Sequence, residues 1–144
     1  MEMYYTPEKE DIRIGYQCET QKVIQAWTHS IDFIIRTDLT YDENWELTII
    51  DLPLSGNLSV DHCLELLESE HLRVPYLTKE QIEAEGWVES HSHGVFEKGD
   101  FKLGYLGNED NSPQIWIKCI YRMKYEGDCK SINELRYISK LLKI

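Results

Sequence analysis

Val95-Phe96-Glu97-Lys98-Gly99-Asp100-Phe101-Lys102-Leu103-Gly104-Tyr105-Leu106, followed after a turn by Gln114-Ile115-Trp116-Ile117-Lys118-Cys119, is the stretch whose reading decides the fold. Val95, Phe101, Leu103 and Tyr105, and then Ile115, Ile117 and Cys119, alternate with more polar neighbours, the period of two that marks strands with one buried face. Between them Gly107-Asn108-Glu109-Asp110-Asn111-Ser112-Pro113 is dense in turn-forming residues. Residues 94–106 and 113–122 are therefore predicted to pair as an antiparallel hairpin.

On the C-terminal side, Ser131 and Glu134 stand in capping-box relation, and Ile132, Leu135, Ile138 and Leu142 then line one side of a helix carrying Arg136, Lys140 and Lys143. On the N-terminal side, Thr78 with Gln81 forms a second capping box, Leu77 and Ile82 a hydrophobic staple, and Gly86 a stop, which predicts a short helix over 79–85. Before it, Leu72 to Leu77 reads as extended, with Pro75 confining it to an edge or a connection. Val60, Cys63, Leu64 and Leu67 fall at helical spacing and predict a helix over 60–69.

The first third of the chain reads as strand. Ile12, Ile14 and Tyr16 alternate with polar residues and predict a strand over 12–20. Val23, Ile24, Trp27, Ile31, Phe33, Ile34 and Ile35 are dominated by β-branched residues, so 22–37 is also predicted as strand. Trp45, Leu47, Ile49 and Leu52 predict another at 45–51, ended by Pro53 and Ser55-Gly56-Asn57. The expectation is an α+β domain spanning 1–144, with an antiparallel sheet of about five or six strands and two or three helices packed on it.

The chain's 144 residues fall near the commonest domain size, and 42% hydrophobic residues suffice for one core. Its apolar runs, such as Phe33-Ile34-Ile35, are far short of the roughly 18 to 20 residues that cross a bilayer. Met1-Glu2-Met3-Tyr4-Tyr5 lacks the basic and apolar regions of a secretion signal, so a cytoplasmic protein with no membrane partner is expected. Cys18, Cys63, Cys119 and Cys129 include no Cys-x-x-Cys pair, and free thiols packed as small hydrophobes are expected, with Cys63 in the core. Cys129, within Gly127-Asp128-Cys129-Lys130, is expected to be exposed enough to react.

The net charge of −11 is unevenly distributed. Residues 1–70 hold 15 acidic and four basic side chains, whereas residues 118–144 hold three acidic and seven basic. A surface this negative repels phosphate backbones and disfavours nucleic acid as a partner. A basic protein or a polar small ligand is its natural complement.

Two constellations could carry chemistry. His91-Ser92-His93 places two imidazoles at i and i+2, a spacing that suits a metal site if the segment is a strand, and a small hydrolase if an acid joins them. Glu89, Glu97, Asp100 and His71 could complete such a site, but the spacing selects none of them. With Gly94 following, a polar turn is the plainer reading. The aromatic residues are more numerous than a small core readily hides, and Trp27, Trp45, Tyr76, Trp87, Tyr105 and Trp116 are the candidate binding residues, two ordinary core clusters being the alternative. Phosphate-cradling glycine loops and nucleophile motifs are missing from the sequence, so no cofactor is expected.

Tyr5-Thr6-Pro7 leading to Asp11-Ile12-Arg13-Ile14-Gly15-Tyr16, Leu72-Arg73-Val74-Pro75-Tyr76-Leu77-Thr78-Lys79-Glu80 with Gly86-Trp87, and Lys130-Ser131-Ile132-Asn133-Glu134-Leu135 with Leu141-Leu142 resemble segments of a loose group of small uncharacterised proteins of gut Bacteroidetes phages and mobile elements. The resemblance transfers no catalytic residue. It implies an accessory gene product acting in a bacterial cytoplasm, and with the charge and the aromatics it favours a non-enzymatic binding protein that engages a host factor or small ligand, such as an antagonist of host defence. A virion structural or assembly protein, and a small metal-dependent hydrolase using His91 and His93, are the alternatives. The sequence leaves homo-oligomerisation open.

Overall fold

A computed structural model of the chain describes residues 3–52, 58–107 and 112–144. In chain order these form β1 (Tyr4–Tyr5), a 3₁₀ turn (Lys9–Asp11), β2 (Gln17–Thr20), β3 (Val23–Ile31), β4 (Ile34–Tyr41), β5 (Glu46–Ile49), α1 (Val60–Glu68), β6 (Leu72–Pro75), α2 (Lys79–Ala84), β7 (Val88–Glu89), β8 (Val95–Lys98), β9 (Phe101–Leu106), β10 (Gln114–Cys119), β11 (Arg122–Asp128) and α3 (Ile132–Leu142). The protein is α+β with antiparallel pairing, as its sequence predicts, but among the described residues its eleven strands divide into sheets of four, five and two rather than forming one sheet of about five or six. The break expected at Pro53 to Asn57 and the centre of the turn at Asn108 to Asn111 lie outside the described residues. The chain falls into two compact units, one holding residues up to Tyr5 with Pro75–Ile144, the other Thr6–Val74.

In the first unit, one sheet runs in the order β11-β10-β9-β8-β7. The hairpin expected from the sequence is the β9–β10 pair, with Ile117 opposite Leu103 and Ile115 opposite Tyr105. Phe96, Leu103, Ile115 and Ile117 are buried in one cluster with Ile82 of α2 and Ile132, Leu135 and Ile138 of α3. Each such side chain contributes about 1.5–3 kcal/mol by leaving water. Both capping boxes form: Thr78 Oγ1 accepts from Gln81 N–H at 3.2 Å while Gln81 Oε1 accepts from Thr78 N–H at 3.1 Å, and Glu134 Oε2 accepts from Ser131 N–H at 2.8 Å. Glu85, at the end of α2, ties both neighbours: its carbonyl accepts from Lys98 Nζ at 2.8 Å, and its carboxylate from Arg136 Nε at 2.6 Å.

In the second unit β2 lies between β5 and β6, with Glu19 opposite both Leu47 and Arg73. Cys18 and Thr20 face inward from β2, and Ile12, Tyr16, Ile50, Leu72 and Val74 are buried too. Helix α1 buries Cys63 and Leu66, beginning at Ser59, whose Oγ accepts from His62 N–H at 3.2 Å. Among the described residues β3 and β4 pair only with each other, as a two-stranded ribbon.

Three strand assignments are corrected. The strand expected over 12–20 begins only at Gln17, because Gly15 at φ +90° turns the chain and leaves Ile14 exposed. Residues 22–37 are not one strand but most of a hairpin, since Asp32 and Phe33 both adopt positive φ, 51° and 65°, and reverse the chain. Residues 94–106 likewise divide at Gly99, φ +60°, into β8 and β9. β7 and β11 were not expected at all.

Candidate functional site

The six aromatic residues singled out by the sequence do not form one cluster. Trp87 belongs to the first unit's core, 2% exposed, with its indole N–H lacking an acceptor among the described residues. Tyr105 packs against the same core and donates from its hydroxyl to the Leu77 carbonyl at 2.7 Å; burial, then Glu80, raises its ionisation above the usual phenol range. Trp116 lies on the opposite face of that sheet, across Gly104. Tyr76 packs its ring against Tyr5, centroids 5.0 Å apart.

Several rings already carry a cation from the protein itself. Arg73 Cζ sits 4.1 Å over Trp45 while its Nε donates to Glu19 Oε1 at 2.9 Å, and Lys118 Nζ sits 4.9 Å over Trp116. Lys130 covers Tyr5 at 5.7 Å, and Arg13 covers Tyr16 at the same distance. Such contacts satisfy the ring quadrupole from one side. Trp27 differs, standing on β3 with 60% of its surface exposed.

His91 and His93 occupy the exposed turn between β7 and β8, so the strand geometry that would aim both imidazoles to one side is not realised. Lys79 Nζ lies 2.9 Å from His93 Nε2 and 3.8 Å from Glu89 Oε2. An ammonium that donates to this nitrogen takes the lone pair a metal would need. Among the described residues no group of three or more His, Cys, Asp or Glu could hold a metal ion.

The cysteines are free, and three of the four are buried. Cys129 is not exposed as its loop sequence suggests: it lies in the first unit's core at 0% exposure, where burial, then Glu134, pushes its thiol up to about 12. Cys18 and Cys63 contact each other, and that contact together with burial keeps the Cys18 thiol protonated. His71 and Ser69 make a pair that sequence spacing did not reveal, His71 Nδ1 lying 3.0 Å from Ser69 Oγ with the imidazole stacked on Tyr41 at 3.4 Å. Ser69 Oγ also donates toward the Glu65 and Leu66 carbonyls, at 3.1 and 3.2 Å, so this hydroxyl caps α1 rather than presenting a nucleophile.

The most conspicuous surface feature is the β3–β4 ribbon. Nearly every residue from Val23 to Thr40 is exposed, and Ile24, Trp27, Ile31, Ile34, Ile35 and Leu39 are among them. At its tip Phe33 is fully exposed, 103%, on a backbone at φ +65°. Trp27 and Asp38 are cross-strand partners, and His29 Nδ1 lies 3.6 Å from Asp38 Oδ2. A two-stranded hairpin with no third strand among the described residues is marginal in water, and this one carries large exposed apolar side chains on both faces, a feature that marks interaction sites.

Comparison of the chain with protein-family models, with curated proteins and with solved structures finds no match.

Proposed function

We propose that this is a non-enzymatic binding protein that docks onto a host factor through the β3–β4 ribbon, in the phage or mobile-element setting suggested by its sequence resemblance, where it antagonises a host process such as defence. The observation that carries this reading is Phe33, a bulky apolar side chain held fully in water on a left-handed backbone. Solvent and backbone both oppose that arrangement, at roughly 1–3 kcal/mol for the backbone alone, and strain of this kind is retained where a site uses it. The charge of −11 attracts a basic partner at long range, while Phe33 and Trp27 supply the apolar anchors at contact. Co-purification from expressing host cells tests the reading. A partner held by the wild type and lost by Phe33→Ser and Trp27→Ala supports it; a partner held equally by all three overturns the role of the ribbon.

A second reading, assembly within a virion, is favoured by the open edges of the ribbon, which suit strand addition. Mass spectrometry of purified particles separates the two, since only an assembly protein is found there.

A further inference from the structure

We infer that the β4 edge of the ribbon pairs with the β4 edge of a second copy of this chain, antiparallel about a two-fold axis at Thr37, to give a four-stranded sheet. This rests on the ribbon being the docking element, and it names one of the ribbon's partners. The turn at Asp32-Phe33 joins Ile31 directly to its partner Ile34, which makes these the closing hydrogen-bonded pair. Hydrogen-bonded and non-hydrogen-bonded pairs alternate from there, so β4 turns the N–H and C=O groups of Ile35, Thr37 and Leu39 away from β3. A two-fold at Thr37 sets these against Leu39, Thr37 and Ile35 of the second copy. Every outward group then meets an outward group, for about six hydrogen bonds.

Charge selects this register. Centring the axis on Arg36 sets Arg36 against itself, and centring it on Asp38 sets Asp38 against itself. Centred on Thr37, Arg36 of each copy lies opposite Asp38 of the other, twice per dimer, and Ile35 lies opposite Leu39. Opposite charges across a strand pair stabilise it and like charges destabilise it. The same operation on β3, centred on Thr28, sets Trp27 against His29 and Ala26 against Ser30, with no charge pairing.

The ribbon is also where two strongly acidic chains can meet at least repulsion. Residues 23–41 contain Arg36, Asp32 and Asp38 as their only formal charges, within a chain of net −11. β4 has no Lys or Pro to keep edge strands apart, and its two charged side chains, Arg36 and Asp38, are opposite in sign and so complementary in the antiparallel register.

Sedimentation velocity over a concentration series tests the pairing. Wild-type chain is expected to dimerise reversibly. Arg36→Asp alone or Asp38→Arg alone sets like charges opposite and weakens association at least tenfold, and the double swap restores it. His29→Ala removes the contact between His29 and Asp38 within the ribbon and leaves association unchanged. Thr37→Cys places two thiols at a Cα separation of about 5.5 Å, within disulfide range, and oxidises to a covalent dimer, whereas Thr28→Cys does not. A wild-type monomer at every concentration, single swaps without effect, or a double swap that fails to restore association overturns the pairing. A monomeric chain that still captures a partner in a Phe33-dependent manner overturns the pairing alone and leaves the docking role intact.

Discussion

Trp116 lies across Gly104, its register partner on the neighbouring strand, so closely that a Cβ at residue 104 would stand 2.0 Å from the indole Cε2. Here a glycine is required by a ring rather than by backbone geometry. Gly104→Ala is expected to force Trp116 off its rotamer and cost on the order of 2 kcal/mol in denaturant unfolding. Trp116→Ala makes room, so the double variant recovers much of what Gly104→Ala alone loses, a coupling that a double-mutant cycle reads directly. Additive losses would show that the contact is not formed in solution.

Trp87 is buried with an indole N–H lacking an acceptor among the described residues. An orphaned donor of this kind costs about 1–3 kcal/mol, which Trp87→Phe removes while leaving a modest void. The two effects nearly offset, so Trp87→Phe is expected to change stability by less than about 1 kcal/mol, whereas Trp87→Ala costs roughly 3–5. Urea midpoints of the two variants decide this.

Cys129 ties the stability of the first unit to alkaline pH. Its folded thiol ionises near 12, above the ordinary 9.0, so the native state keeps a proton that the unfolded chain releases. The associated stability is full below pH 9.0 and is lost as pH rises toward 12, at on the order of 1 kcal/mol per pH unit. Tyr105 and Tyr125, both raised by burial, add to the decline with the same sign. Thermal midpoints measured from pH 8 upward are expected to fall less steeply in Cys129→Ala than in the wild type.

Phe33→Gly is expected to stabilise the ribbon. Two-residue turns of this geometry favour glycine at the second position, and relief of the positive φ contributes roughly 1 kcal/mol. The same change removes the apolar tip, so stability and partner capture should move in opposite directions. Amide exchange on β3 and β4 together with co-purification measures both, and a variant that binds as well as the wild type would show that the tip is ornamental.

What the sequence made legible was local. The capping boxes at Thr78 and Ser131 join groups three residues apart and formed as read, and the pairing of β9 with β10 follows from alternation around a polar turn, although Gly99 divides the longer strand expected over 94–106. β11 was missed because Arg122 to Asp128 lies at a sheet edge, mostly in water, and shows no clean inside and outside. The hairpin at Asp32-Phe33 was missed because Phe33 occupies a position where turn chemistry calls for glycine. The surplus of aromatics was visible, but the cations covering Trp45 and Tyr5 come from Arg73 and Lys130, distant in sequence, and no spacing rule reaches that far. Cys129 looked exposed from its polar neighbours, yet its own side chain turned inward.

Apart from Tyr41, which stacks on His71, the ribbon's side chains fill no interior, so replacing most of them disturbs little packing. Its backbone needs only extended residues and one reversal. Elsewhere, as at Gly104, a single methyl group is excluded. Substitutions can therefore accumulate between Val23 and Thr40 with little penalty to folding, which, under the docking role proposed above, leaves this arm best able to keep pace with a changing target.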